Sequence, residues 1–297
     1  MKRSGRHKKT HSWQRLIGGG ILALFLLVVS QPDIEQVIRG LWDDSPATQP
    51  AAPTNFNAAK QLLRQQVYHD QHRQGALGTL YCGCDWEWTG ASGGRVDLAS
   101  CGYQIRAQEQ RARRIEWEHV VPASWFGHQR QCWQEGGRNH CRKTDPLFSL
   151  MEADKHNLSP VIGEVNADRS NFRYGHIAAT TPMYGQCTSR TDFSQRLFEP
   201  RPEARGLVAR IHFYMHDRYD LSLSRQQQQL LMDWDRRYPV TAWELERNRR
   251  IRAVVGHDNP FVTGARQWQL GQRNSAEGLP QSDLQADLGQ VRGNLNS

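Results

Sequence analysis

Six cysteines, Cys82, Cys84, Cys101, Cys132, Cys141 and Cys187, all fall between positions 82 and 187 of a 297-residue chain. An even number confined to the body of a chain that carries an export-type leader reads as three disulfides, and so as a fold stapled across its middle. Cys82 and Cys84 stand too close to bridge each other comfortably. Cys132 and Cys141 close a short polar loop and make the most natural pair. The pairing among Cys82, Cys84, Cys101 and Cys187 stays open. The competing reading is a zinc-dependent hydrolase, since cysteines near histidines can bind metal, but no Cys-x2-Cys spacing occurs.

The export reading rests on the first thirty residues. Lys2, Arg3, Arg6, Lys8, Lys9 and Arg15 precede fourteen uncharged residues, Leu16 to Val29, all apolar or glycine. That run is short for a spanning helix and right for the hydrophobic part of a signal peptide. Cleavage after Ser30 would release the body, and without it residues 16–29 are an inner-membrane anchor; in both cases the basic end stays in the cytoplasm and the rest crosses. Residues 31–55, with Pro32, Pro46, Pro50 and Pro53, read as a linker.

The net charge of +8 belongs largely to the leader: without its six bases, 32 Lys and Arg face 30 Asp and Glu. Bulk charge therefore does not argue for nucleic acid. Between Ile105 and Asp145 the balance is locally basic, with Arg106, Arg111, Arg113, Arg114, Arg130, Arg138, Arg142 and Lys143 against five acids, which as a rule marks a solvated face. Mean hydropathy of −0.73 excludes a polytopic membrane protein.

Local pattern predicts a mixed α+β body. Asn57 is expected to cap a first helix with Ala59, Leu62, Leu63 and Val67 on one face. Short strands and turns follow from Thr79 to Val120. Ser159 and Pro160 read as cap and first turn of a helix running through Asn166. Leu207, Val208, Ile211, Tyr214 and Met215 mark an amphipathic helix, and Thr241 with Glu244 forms a capping box for another that buries Trp243, Ile251 and Val254. The polar segment 264–297 is expected to be disordered.

The chemistry centres on Ile115–Gly127, a β-branched and aromatic run holding Glu118 beside His119 and closed by Pro122. It reads as a strand. Histidine takes a proton near neutral pH and a carboxylate holds a divalent cation, a pair suited to metal-assisted hydrolysis. Neighbouring side chains on a strand point to opposite faces, so both serve one site only if the strand ends or bulges there. Asn166, on the expected helix, could add the neutral oxygen that a hydrated Mg2+ accepts beside one carboxylate; by spacing alone it is a surface residue. His128, His140 and His156 read as structural. Trp117, Trp125 and Trp133 read as packing.

Several long runs, Tyr81-Cys82-Gly83-Cys84, Glu116-Trp117-Glu118-His119-Val120-Val121-Pro122-Ala123, Gly127-His128-Gln129-Arg130-Gln131-Cys132-Trp133, His156-Asn157-Leu158, Gly163-Glu164-Val165-Asn166 and Asp168-Arg169-Ser170-Asn171-Phe172, resemble the endonuclease I family. These are bacterial periplasmic or secreted nucleases with a ββα-metal, His-Me finger core. The resemblance spans residues 56–263. It implies an α+β fold with that core, a single Mg2+, replaceable by Mn2+, on Glu118 and Asn166, His119 as general base, and Arg138 on the phosphate. It also implies non-specific cleavage of DNA and RNA to 5′-phosphates; the chain itself is expected to act as a monomer. The rival of another class is a non-catalytic exported nucleic-acid-binding or DNA-uptake protein, which has no need for Glu118, His119 and Asn166 together.

Overall fold

In the computed structural model the chain divides into two units, Met1–Pro50 and Ala51–Ser297, and the residues described, 55–73, 77–178 and 181–280, all lie in the second. The expected leader or anchor, 1–30, the linker up to residue 54, and residues 281–297 of the expected tail fall outside the described residues.

Helix α1, Phe56–Leu62, is capped by Asn55, whose extended backbone lets its side chain accept from Ala58 N at 2.9 Å; Asn57 lies inside the helix. It continues as a π-helical turn, Leu63–Val67, and buries Ala59, Leu63 and Val67. Strands β1, Trp86–Thr89, and β2, Gly93–Val96, form an antiparallel hairpin. After the single turn α2, Glu109–Ala112, comes β3, Ile115–His119. The predicted strand over Ile115–Gly127 is therefore shorter, because Ala123–Gly127 is helix α3.

Helix α4, Gln131–Thr144, is broken at Gly136 and Gly137, where Gly137 at φ +65°, ψ −157° occupies a region open essentially to glycine alone. Cys132–Cys141 spans this break, so the expected polar loop is a kinked helix. Helix α5, Pro146–Glu152, follows directly, with Asp145 capping it through Phe148 N at 2.9 Å.

Strand β4, Leu158–Ile162, pairs antiparallel with β3, placing Pro160 opposite Trp117. Here the expected helix start is overturned: Pro160 lies inside a strand, and helix α6, Gly163–Arg169, begins after it. A two-stranded sheet leaves each strand one unpaired edge, where a residue lacking an N–H loses no ladder bond. The outer edge is used, since Pro160 O accepts from Leu80 N at 3.0 Å.

A three-stranded sheet in the order β5-β7-β6 comprises β5, Arg173–Tyr174, β6, Arg190–Asp192, and β7, Leu197–Glu199. Helices α7, Pro202–Arg218, α8, Arg225–Arg237, α9, Ala242–Val255, and α10, Pro260–Thr263, complete the body. Rather than presenting an apolar stripe, α7 is buried along most of its length, from Leu207 and Val208 to Met215. Its buried Arg210 is neutralised by a fork onto Glu244, at 2.6 and 2.7 Å, and by Asp235 at 2.7 Å. Thr241 does cap α9 through Glu244 N, at 3.1 Å, but the Glu244 carboxylate serves Arg210 instead of closing the box.

The remaining disulfides are Cys82–Cys187 and Cys84–Cys101, and no cysteine is free. With every sulfur committed, a thiolate zinc site has no ligands. Residues 264–280, expected to be disordered, are packed: Trp268 stacks on Phe213 at 4.9 Å, the buried Asp217 carboxylate accepts from Ser275 N and Ser275 Oγ, and Ala276 N donates to the Asp217 backbone oxygen. One apolar anchor and one buried carboxylate needing donors hold a stretch whose composition alone reads as unstructured. Among the described residues no helix is long and apolar enough to cross a membrane.

Candidate active site

A cleft of about 570 Å3 opens over the β3–β4 pair and α6, and its lining includes Glu116, Glu118, His119, Arg138, Asn166 and Arg169. The four residues singled out from sequence thus meet in one place. The cleft borders β3 along its length, from Ile115 to His119, so Glu118 and His119 both line it; just beyond the strand Asn157 accepts from Val121 N at 2.8 Å and donates to Val121 O at 3.0 Å.

His119 is buried, with its ring 4.7 Å from that of Phe56. Its Nε2 lies 2.8 Å from Glu152 O. A carbonyl only accepts, so Nε2 carries the proton and Nδ1 keeps the lone pair. Burial, and then the Arg138 charge, push its pKa down to about 4. The imidazole is therefore neutral at ordinary pH, with the Nδ1 lone pair unprotonated.

Glu118 is 2 % exposed, and both its close contacts run to Oε1: the Tyr81 hydroxyl at 2.8 Å and Arg169 at 3.0 Å. Burial pushes its carboxyl up from the usual range against the pull of Arg169 and Tyr81. A carboxylate desolvated to this degree gains strongly from a cation. Arg169 itself is 1 % exposed and also donates to His119 O at 3.1 Å and Val120 O at 2.7 Å. It ties the end of α6 to the end of β3 at the level of both site residues. Sequence reading gave Arg169 no role, because an arginine on a short helix carries no signal of where its guanidinium will be buried.

Asn166 donates from Nδ2 to Glu116 Oε2 at 2.9 Å, which turns its Oδ1 away from Glu116. Glu116 is itself gripped by Arg111 and Arg114. Burial alone would raise the Glu116 carboxyl, but those two forks and the amide hold it below the usual range. Gly163 lets α6 start against this cluster: a Cβ there would fall 2.6 Å from Arg111 O and 2.9 Å from the Glu116 carboxyl carbon. Glu116 was also missed from sequence; its position two residues before Glu118, on the same strand face, was the available signal.

Arg138 leaves the α4 break with Nε bonded to Glu152 Oε1 at 2.5 Å, and its half-exposed guanidinium borders the cleft. Glu152 thereby holds both His119, by its carbonyl, and Arg138, by its carboxylate. His140 pairs with Glu135, and His156 is buried close to Tyr214. His128 packs on Trp133. Trp117 is core; Trp125 is anchored to Asn171 O; Trp133 packs on Phe148 while reaching the cleft wall.

Among the described residues no three His, Cys, Asp or Glu side chains cluster as a metal-holding group. The cleft lining offers the Glu118 carboxylate and the Asn166 amide oxygen, while the second carboxylate, Glu116, is taken up by Arg111 and Arg114 and the Asn171 oxygen by Arg196. That all-oxygen, low-charge set suits a cation that keeps most of its own water, as Mg2+ does, and not a soft or thiolate-seeking metal.

Comparison with known proteins locates this cleft in a family. The endonuclease I profile matches residues 55–266. The chain is 50% identical over 214 residues to an extracellular deoxyribonuclease of Aeromonas hydrophila, covering 72% of this chain and 91% of that one. A periplasmic deoxyribonuclease of the same organism is 50% identical over 208 residues, 70% and 84% of the two chains. Endonuclease-1 of Buchnera aphidicola subsp. Acyrthosiphon pisum (strain APS) is 46% identical over 187 residues, 63% and 74%.

Proposed function

Because the chain belongs to the endonuclease I family and is an endonuclease, we propose that it hydrolyses phosphodiester bonds in DNA and RNA without base preference, leaving 5′-phosphates, with His119 as general base and Mg2+ as cofactor. The observation that carries this reading is the state of His119: a neutral imidazole whose Nε2 is committed to Glu152 O, with Nδ1 left to accept, in the same cleft as Glu118 and Asn166.

His119 takes a proton from the attacking water, a role worth roughly 10²–10⁴ in rate. Arg138 presents a planar fork to a phosphate oxygen, and Glu152 keeps it from swinging away. Glu118 and Asn166 would hold the metal, which when bound would supply positive charge to offset the negative charge that develops in phosphodiester cleavage. Mn2+ should substitute, since the donors are hard oxygens. Arg169 and Tyr81 hold Glu118 in position. Contacts confined to phosphate and sugar account for the absence of base preference. We read the β3–β4–α6 unit as the ββα-metal core that the resemblance implies, because Glu118, His119 and Asn166 lie on it and line one cleft.

Disulfides fit the oxidising compartment in which the Aeromonas relatives are named, and we place this chain there too, as a monomer, anchored by residues 16–29 if the leader is retained. The deciding experiment incubates purified protein with supercoiled plasmid in Mg2+ or in EDTA. Nicking in Mg2+ alone is expected. Binding without nicking would return the reading to a non-catalytic nucleic-acid binder.

A further inference from the structure

Phe193 and Leu245 are the large apolar side chains left exposed among the described residues, at 47% and 49%. Phe193 opens a turn, 193–196, between β6 and β7. That turn is built rather than loose: Asp192 accepts from the Ser194 hydroxyl at 2.6 Å, from Gln195 N at 2.9 Å and from the Gln195 side-chain amide at 2.8 Å. Its last residue, Arg196, sits at φ +56°, a conformation strained for any residue but glycine.

The strained backbone directs the side chain to a particular place. The Arg196 guanidinium lies 5.1 Å over the Phe172 ring and donates to Asn171 Oδ1 at 3.0 Å, and Asn171 lines the catalytic cleft. Phe193 meets Phe172 edge-on at 6.3 Å, with the Arg106 guanidinium 5.0 Å over the Phe193 ring. Arg106 is in turn locked to Asp168, at 2.6 and 2.7 Å, on the helix that carries Asn166. An exposed aromatic ring with the Arg106 guanidinium over it, set edge-on against Phe172, which itself carries the Arg196 guanidinium, thus adjoins the lip of the cleft. Aromatic rings that stack bases beside cations that follow the backbone are the two components of single-strand recognition.

We infer that the 193–196 turn, with Phe172 and Arg106, is a second contact for the substrate strand where it leaves the cleft, an unpaired base stacking on Phe193 while Arg196 meets the adjoining phosphate. The inference rests on the nuclease reading and adds which substrates gain: bases in a duplex are already stacked, so the contact favours single-stranded nucleic acid.

The test measures binding of a labelled single-stranded oligonucleotide, and of its duplex, by fluorescence anisotropy in EDTA on a His119→Ala background, with plasmid nicking by the unmodified protein run alongside. Phe193→Ala should weaken single-strand binding by at least about 5-fold, and more than it weakens duplex binding. Phe193→Trp should restore it, and Leu245→Ala should behave like the parent. A Phe193→Ala Kd indistinguishable from the parent's, or equal losses on strand and duplex, would overturn the inference. Failure to nick plasmid would sink the nuclease reading separately, leaving the oligonucleotide result to be judged by itself.

Discussion

Glu116→Ala tests whether the site depends on how Asn166 is held. The substitution removes the acceptor for hydrogen bonds from Arg111, Arg114 and Asn166 Nδ2. Arg111 and Arg114 are 33% and 56% exposed and can turn to water, so losing those pairs should cost only about 0–1 kcal/mol each. With the Asn166 bond included, the stability loss should be about 1–2 kcal/mol, or about 2–4 °C in melting temperature per kcal/mol. The effect on the metal is larger in kind. A freed amide no longer holds its oxygen in one direction, and the loss of such orienting partners typically weakens metal binding roughly 10–100-fold. Calorimetric titration of the substrate-free protein with Mg2+ measures this directly, and plasmid nicking should recover most of its rate at saturating Mg2+. A folded variant that binds Mg2+ as tightly as the parent would refute the argument that Glu116 orients the ligand.

Three other outcomes are expected. His119→Ala should lower cleavage by roughly 10²–10⁴ while leaving DNA binding in EDTA largely intact; parental turnover would remove His119 as base. Since the folded-state pKa values of His119, His156 and His216 are lowered to about 4, 3 and 4, the unfolded chain binds protons first as pH drops, so stability should be full above about pH 6.5 and fall toward pH 4, by up to about 1.4 kcal/mol per pH unit for each group. Thermal melting across that range checks it, and a flat profile would contradict the buried neutral state. Arg169→Met strands the buried Glu118 carboxylate and should cost on the order of 3–5 kcal/mol, read by urea denaturation, with Arg169→Lys failing to rescue because one ammonium cannot serve Glu118, His119 O and Val120 O together.

The parts of this protein legible in its sequence are those governed by neighbours in the chain. Thr241 caps α9, the strand carrying Glu118 and His119 was visible in its β-branched run, and Cys132 pairs with Cys141 nine positions on, because each depends on contacts only a few residues apart. Where local signals competed with distant ones, the distant ones prevailed. Pro160 carries a helix-start signature yet lies in β4, because β3 offered a partner and the sheet had an edge to spare. Gly264 onward looked unstructured, yet Trp268 found Phe213 and Asp217 found its donors.

The amino-acid sequence by itself determined the chemistry at hand: one carboxylate, one imidazole, an amide and an arginine, in a chain whose even cysteine count and basic leader point to export. Only the tertiary structure decided which atoms face one another: that Cys82 bridges Cys187 across 105 residues, that Asn166 answers to Glu116, and that Arg169 is buried against Glu118. Local propensities are settled within a turn or a strand. The burial that strips water from Glu118 and His119, and so makes a pairing partner worth having, exists only once segments remote in sequence have closed over them.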